Sequence, residues 1–317
     1  MHEGADPYLT ARSTERNVFM AKTINGYKRK WGDRRDGRRV KVTGLQTFMS
    51  NLWPHRTDCE VYLHDTIDVT DLMKYVEKKN AEHPDLKTTF FHCVIAAAAK
   101  MVNERPIMNR FIQGRRTYER FEISVAFVAK LAFDDHAEES LLFFVPKESD
   151  TVDDVSRMVV DKVKKVRSQG EQKDGLDNTL DKLAVLPRPL LMLVCKVVRL
   201  LDFWGKIPAS MTEGDPHFCT IFLSNLGSIK CPAVYHHLNN YGTNSMMITV
   251  GEIHDEERLM PDGSKQIRKV CDIGATLDER IGDGFYFARS LKLVHYICTH
   301  PELLDRPIGE PSGFDYK

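Results

Sequence analysis

The sequence predicts an α+β protein, with helices packed on one face of a large, mixed or mainly antiparallel β-sheet. Segments of helical and strand period are mixed rather than alternating as regular β-α-β units. The last third is rich in strand patterns, including a hairpin closed by Pro261-Asp262-Gly263. The chain is long enough to bury one sizeable core, with 317 residues of which 42% are hydrophobic.

Residues 1–45 are polar and read as an irregular arm. Within them "YKRKWGDRRDGRRVK" (27–41) sets eight basic residues against Asp33 and Asp36. It reads as a solvated arm, with an anion contact as the alternative; only Tyr27 and Trp31 interleave, which speaks against nucleic acid. A strand pattern over 58–68 leads into an amphipathic helix over 69–84, with Thr70 as its cap and Pro84 beyond its end. A more buried helix follows over 87–106, stopped by Pro106. Residues 108–132 read as strand, glycine-centred turn and strand, and 139–147 as another short strand. A capped helix over 151–170 ends at Gly170, and 171–186 is a polar loop. The helix over 187–208 is bounded by prolines and apolar on most faces, broken by Lys196, Arg199 and Asp202. It reads as packed in the fold or between subunits, as a lid, or as a membrane-surface helix. Strands over 218–228 and 245–279 and a helix from Gly284 to about Thr299 complete the pattern.

Composition removes several classes of function. The formal net charge is zero, so there is no global pull toward nucleic acid or a membrane. The seven cysteines are scattered, without a C-x-x-C pair, which argues against a zinc ribbon or a disulfide framework and fits a reducing cytoplasm. No apolar run reaches the length of a membrane span, and the N-terminal residues carry no apolar signal core. The histidines form no metal-ligand spacing.

Four stretches, "YLHDTIDVTDLMKYV", "TTFFHCVIAAAAKMVNERPIMNRFIQGRRTYERFEISVAFVAK", "FLSNLGSIKCPAVYHHLNNYGTNSMMITVGEI" and "TLDERIGDGFYFARSLKLVHYICTHPELL", resemble in order and spacing the CoA-dependent acyltransferase superfamily. Its members include chloramphenicol acetyltransferase and the catalytic core of the 2-oxoacid dehydrogenase acyltransferases. The resemblance implies a two-layer sandwich with a large mixed sheet, assembled as a homotrimer whose active-site channel lies between subunits. It implies a coenzyme A thioester as cosubstrate and a separate small-molecule acyl acceptor, without a metal. The core then covers 46–307, with 187–208 as a helical insertion and 308–317 as a C-terminal tail. The Ala/Pro-rich linkers that go with the lipoyl and subunit-binding modules of a complete dehydrogenase component are missing, so the chain resembles the stand-alone core; a lipoyl-domain partner stays open but is not indicated.

Acyl transfer requires a base for the incoming nucleophile and a donor for the oxyanion. The family's signature, His-X-X-X-Asp-Gly, is met here by Glu279, Arg280, Ile281, Gly282, Asp283 and Gly284. Asp283 and Gly284 match; the histidine is replaced. Three readings follow. Glu279 is itself the base, which requires burial to raise a carboxylate pKa by several units. Alternatively His236 or His237 in "YHHLNNYG" serves, with Glu279 positioning. In the third reading chemistry is lost, and the fold is a trimeric binding or scaffold protein. The resemblance also implies an oxyanion donor at Ser228 and a structural ion pair of Asp283 with Arg56 (alternatively Arg38 or Arg39). By residue type, Ser224 and Asn225 are hydrogen-bond donors for a ligand, and Gly227 lets it approach the backbone. Gly284 is the turn residue, and the arginines of 109–121 are either a solvated hairpin or a contact for an anionic coenzyme end.

Overall fold

The computed structural model describes residues 23–24, 27–130, 139–169, 185–212 and 214–316. Two short strands, β1 (Thr23–Ile24) and β2 (Tyr27–Lys28), precede β3 (Gly37–Arg39) and α1 (Gly44–Leu52). Then come β4 (Glu60–Asp68), α2 (Thr70–Glu82), α3 (Phe90–Glu104), β5 (Arg110–Gln113), β6 (Arg116–Arg120) and β7 (Val125–Lys130). They are followed by β8 (Glu139–Phe144), α4 (Val152–Gln169), α5 (Arg188–Phe203) and β9 (Ile221–Asn225). β10 (Met246–Leu259), β11 (Lys265–Asp278) and α6 (Gly284–Thr299) end the series.

The main sheet has the order β4-β11-β10-β9-β7-β8. It is mixed: β9 runs parallel to both β10 and β7, and the other pairs are antiparallel. Because side chains alternate across a strand, the two faces differ. Leu63 and Ile67 of β4, Ile248 of β10 and Ile273 of β11 face the helices and join the main core with α2, α3, α4 and α6. An apolar cavity of about 80 Å³ lies on this side, lined among others by Leu63, Val94, Met101, Ile273 and Val294. The opposite face holds a smaller core of Ala126, Cys219, Phe222, Leu238 and Met247. A separate three-stranded sheet, β3-β6-β5, is antiparallel throughout.

α3 is buried along most of its length, and the run Ala96–Ala99 lets it lie close in the core. Its start is a capping box: the Thr89 hydroxyl accepts the His92 backbone N–H, and His92 Nδ1 accepts that of Thr89 at 3.4 Å. Burial pushes the His92 imidazole down to about 4. Its folded pKa thus lies below the unfolded one, so its contribution to stability is full above about pH 6.5 and is lost as pH falls toward 4. Between pH 7 and 5 this single group should cost about 2 kcal/mol of unfolding free energy. His92→Gln keeps the cap and should flatten that part of the pH dependence in urea titrations; an unchanged slope would contradict it.

The structure departs from the pattern reading in four places. α1 lies at the edge of the supposed irregular arm; Thr43 and Gln46 cap it reciprocally, a signal spread over only four residues. The segment 108–132 contains three strands within its described part, because the chain turns again at 121–124 before entering the main sheet. Thr70 is the first helical residue and not the cap: the Asp68 carboxylate accepts its N–H at 2.9 Å, while its hydroxyl accepts the Lys269 N–H. The last residues pack against α3, where Glu104 accepts hydrogen bonds from Ser312 and Tyr316. Gly170 and residues 171–184 lie outside the described residues.

Candidate functional site

The sheet face away from the helices is crossed by an extended strap, residues 231–240. Cys231 O accepts the Glu252 N–H at 3.0 Å. Farther along, Val234 O accepts the Thr249 hydroxyl, and the Tyr235 ring packs on Tyr62 of β4 at 5.3 Å. Two strand glycines make room. A Cβ at Gly251 would sit 2.6 Å from Ala233 N, and one at Gly274 would sit 2.5 Å from Val234 O. Gly251 falls where the β10–β11 register shifts, between Val250 and Ile253. Gly274→Ala should displace the strap, at about 1–3 kcal/mol, and open 231–240 to limited proteolysis. Gly284→Ala should do neither, since open space surrounds that Cβ position and Gly284 has no positive φ.

The strap ends in "HHLNN". Leu238 is fully buried in the small core, and its N–H is accepted by Glu60 at 2.5 Å. This anchors the two residues before it, His236 and His237, which are exposed with rings 4.8 Å apart. His236 Nδ1 lies 2.9 Å from His237 O, and His237 Nδ1 lies 3.0 Å from Leu238 O. A carbonyl oxygen only accepts, so in the neutral ring Nδ1 carries the proton and Nε2 keeps its lone pair.

Beyond the histidines, Asn240 Oδ1 accepts the Arg56 N–H at 2.8 Å, and Asn239 O accepts Arg56 Nη1 at 2.6 Å. Arg56 is 4% exposed and lies 3.6 Å from the wholly buried carboxylate of Asp278. That carboxylate is gripped by Arg280 through two bonds, Nε at 2.8 Å and Nη2 at 2.6 Å. Arg280 also donates to Trp53 O. One carboxylate thus serves two guanidiniums unequally. Burial pulls Arg56 down to about 10, against the attraction of Asp278, and its Nε has no hydrogen-bond partner among the described residues. Arg280 is held above its ordinary value by its bonds to Asp278, although burial opposes this.

This corrects the expected ion pair. Arg56 pairs with Asp278 and not with Asp283; Arg38 instead meets Glu119, and Arg39 lies in β3. Asp283 is exposed and caps α6, accepting the Tyr286 N–H at 2.8 Å. Gly284 begins α6 with ordinary backbone geometry, so it is a helix start and not a glycine-dependent turn. Glu279 follows Asp278 directly and is exposed, without a side-chain hydrogen bond among the described residues. The strap histidines and the Glu279 turn are therefore joined through Arg56 and Asp278, and no direct contact between them is present among the described residues.

The predicted ligand segment is engaged in its own turn. The Ser228 hydroxyl donates to Asn225 O at 2.8 Å, and Asn225 Oδ1 accepts the Ser228 N–H at 3.3 Å. Gly227 packs against β10, since a Cβ there would meet Gly251 O at 2.4 Å. Ser224 is half-buried near the end of β9. Of the four arginines in 109–121, Arg120 is buried against Asp36 and Thr243, Arg116 donates to Gly32 O, and Arg110 faces Glu119. Arg115 alone of these is exposed, at the tip of the turn. Pattern reading also passed over His217, whose Nδ1 lies 2.8 Å from the buried Asp215 carboxylate, which also accepts the Tyr241 hydroxyl. "DPH" was its only local signal. Among the described residues no group of three or more potential metal ligands is gathered.

Residues 34–130 match the model of the family described as 2-oxoacid dehydrogenases acyltransferase (catalytic domain). No curated protein sequence matches the chain. Among solved structures it resembles a probable dihydrolipoamide acetyltransferase from Listeria monocytogenes, at 14% identity over 88% of this chain and 98% of that one, TM-score 0.55. The cubic core of the pyruvate dehydrogenase multienzyme complex gives 14% identity over 84% and 93%, TM-score 0.56. The Azotobacter vinelandii dihydrolipoamide acetyltransferase gives 15% over 84% and 93%, TM-score 0.56. In that protein the role of a serine, a histidine and an asparagine in the catalytic mechanism has been investigated. At these identities the likeness shows the fold alone: helices packed on a large mixed sheet, as in those acetyltransferase structures.

Proposed function

We propose that the protein transfers an acyl group from a CoA or other thioester to a separate small-molecule acceptor, with His236 or His237 as the base. The carrying observation is the pair of imidazoles whose Nδ1 atoms face backbone carbonyls. It leaves two Nε2 lone pairs on an exposed edge, anchored by buried Leu238. Such a base takes the acceptor's proton as its oxygen, nitrogen or sulfur attacks the thioester carbonyl, and returns it to the departing thiolate. Ser228 serves the oxyanion once its hydroxyl turns from Asn225 O, and Glu279 orients the acceptor. Ser224, Asn225 and Gly227 would line the thioester arm. A homotrimer is supported by α1, whose Leu45, Phe48 and Leu52 are exposed on a helix without a charged residue. The channel between subunits would then run past the histidine pair.

The alternative is a catalytically silent trimeric binding or scaffold protein. It is favoured by the exposed Glu279 at the family histidine's position and by the engaged Ser228 hydroxyl. Incubation of the full chain with a panel of acyl-CoAs and hydroxyl, amine and thiol acceptors, following free thiol, separates the two. Acceptor-dependent thiol release supports the transferase. Its absence across the panel, with an assembled particle that has no channel at His236 and His237, supports the scaffold.

A further inference from the structure

α5 is fastened mainly at its C-terminal end. Asp202, 6% exposed, accepts Arg34 at 2.5 Å and Gln113 at 2.6 Å. Next to it the backbone of Phe203 closes on Gly114, and Gly205 closes on Gly32 and Asp33. Trp204 packs on Trp31 at 5.7 Å, and the Lys206 ammonium lies over the Trp31 ring. Trp31 is 73% exposed. From 188 to 201 every side chain of α5 is exposed or only half-buried.

The helical period sorts those side chains into three arcs. Leu191, Val194, Val198 and Asp202 share the arc turned toward the protein and are the least exposed. Leu190, Leu193, Val197, Leu200 and Leu201 form a continuous exposed strip. Arg188, Lys196 and Arg199 lie on the arc beside that strip and are also exposed. The helix's one acid is Asp202, turned inward and met by Arg34. The outward surface is thus apolar and cationic, with two tryptophans at its foot and Lys28, Arg29 and Lys30 exposed nearby in sequence.

We propose that α5 and the Trp31–Trp204 pair form a peripheral anchor that lays the protein on an anionic lipid surface. The leucine strip enters the boundary of headgroups and acyl chains, and Arg188, Lys196, Arg199 and Lys206 meet the phosphates. The tryptophans take the interfacial level that indole rings prefer. Lying on the surface is the geometry available, since no helix among the described residues is long and apolar enough to cross a membrane. Charge separates this face from α1. The uncharged α1 suits a protein surface, whereas a symmetric contact between two α5 helices would bring like cations together.

The full chain is tested by flotation with phosphatidylcholine vesicles, with and without a third of phosphatidylglycerol. Binding is expected to the anionic vesicles at low salt, with a blue shift of tryptophan emission. Lys196→Glu with Arg199→Glu should weaken it about tenfold or more. Leu193→Glu with Leu200→Glu should abolish it while the unfolding midpoint and particle mass stay unchanged. The proposal is overturned if the wild type does not float with anionic vesicles, or if the leucine variant floats equally. It is also overturned if that variant splits a larger particle, which would make the strip a contact between copies. Acyl transfer is no part of the readout, so the outcome is independent of the catalytic reading.

Discussion

Asp278→Ala is expected to destabilise the protein by about 3–5 kcal/mol, the cost of leaving buried guanidiniums without their counter-charge. Two of them converge on this carboxylate, and both are almost wholly buried: Arg280 is 1% exposed on its side chain and Arg56 4%. Each is also held by backbone carbonyls, so neither is free to swing out to water: Arg280 by Trp53 O and Pro54 O, Arg56 by Asn239 O and Ile112 O. Asp278→Asn should recover little, because an amide keeps an acceptor but not the charge. Adding Arg56→Met to Asp278→Ala should regain part of the loss, since one of the two buried guanidiniums left without a counter-charge is then gone. Asp283→Ala, by contrast, removes only an exposed helix cap, worth about 1 kcal/mol. Urea unfolding of the four variants decides the matter. Equal losses at 278 and 283 would return the structural role to Asp283.

That contrast shows where sequence was informative and where it was not. The frame "TLDERIGDG" contains both aspartates, and motif matching favours the one beside glycine. Strand parity decides otherwise. Counting back from Gly274, which must leave room for the strap, Thr276 and Asp278 alternate onto the same sheet face, where Arg56 arrives from before β4. The fold class itself was legible, because long periodic segments such as 90–104 and 246–278 state their type locally. The strap was not. Residues 231–240 have neither period, and their course is set by partners up to 184 residues away, such as Asn240 to Arg56. Gly251 and Gly274 inside strand patterns were the available signal, since a strand glycine often marks a close backbone approach. α1 was missed for another reason. Its apolar side chains face outward, so the pattern of a helix packed on its own core is lacking.

Replacing both histidines of the strap should lower acyl transfer, measured as kcat/KM with the best donor and acceptor of the panel, by about 10²–10⁴-fold, the contribution of a positioned base. His236→Asn and His237→Asn are the informative forms. The asparagine amide stands near the position of Nδ1 and donates to the same carbonyl, so the strap's local hydrogen bond survives while the lone pair of Nε2 disappears. A structural role would therefore be rescued by asparagine and a basic role would not. The two rings lie 4.8 Å apart and repeat the same carbonyl contact one residue on. One ring can stand in for the other only if both reach the acceptor. A full loss from one single variant identifies the base, and a loss confined to the double variant means that they substitute for each other. Glu279→Gln keeps the shape of the side chain and removes its charge, and on this reading it raises KM more than it lowers kcat. The reverse pattern, with the double asparagine variant fully active and Glu279→Gln inactive, would transfer the base to Glu279, one residue beyond the Asp278 carboxylate that holds the turn in place.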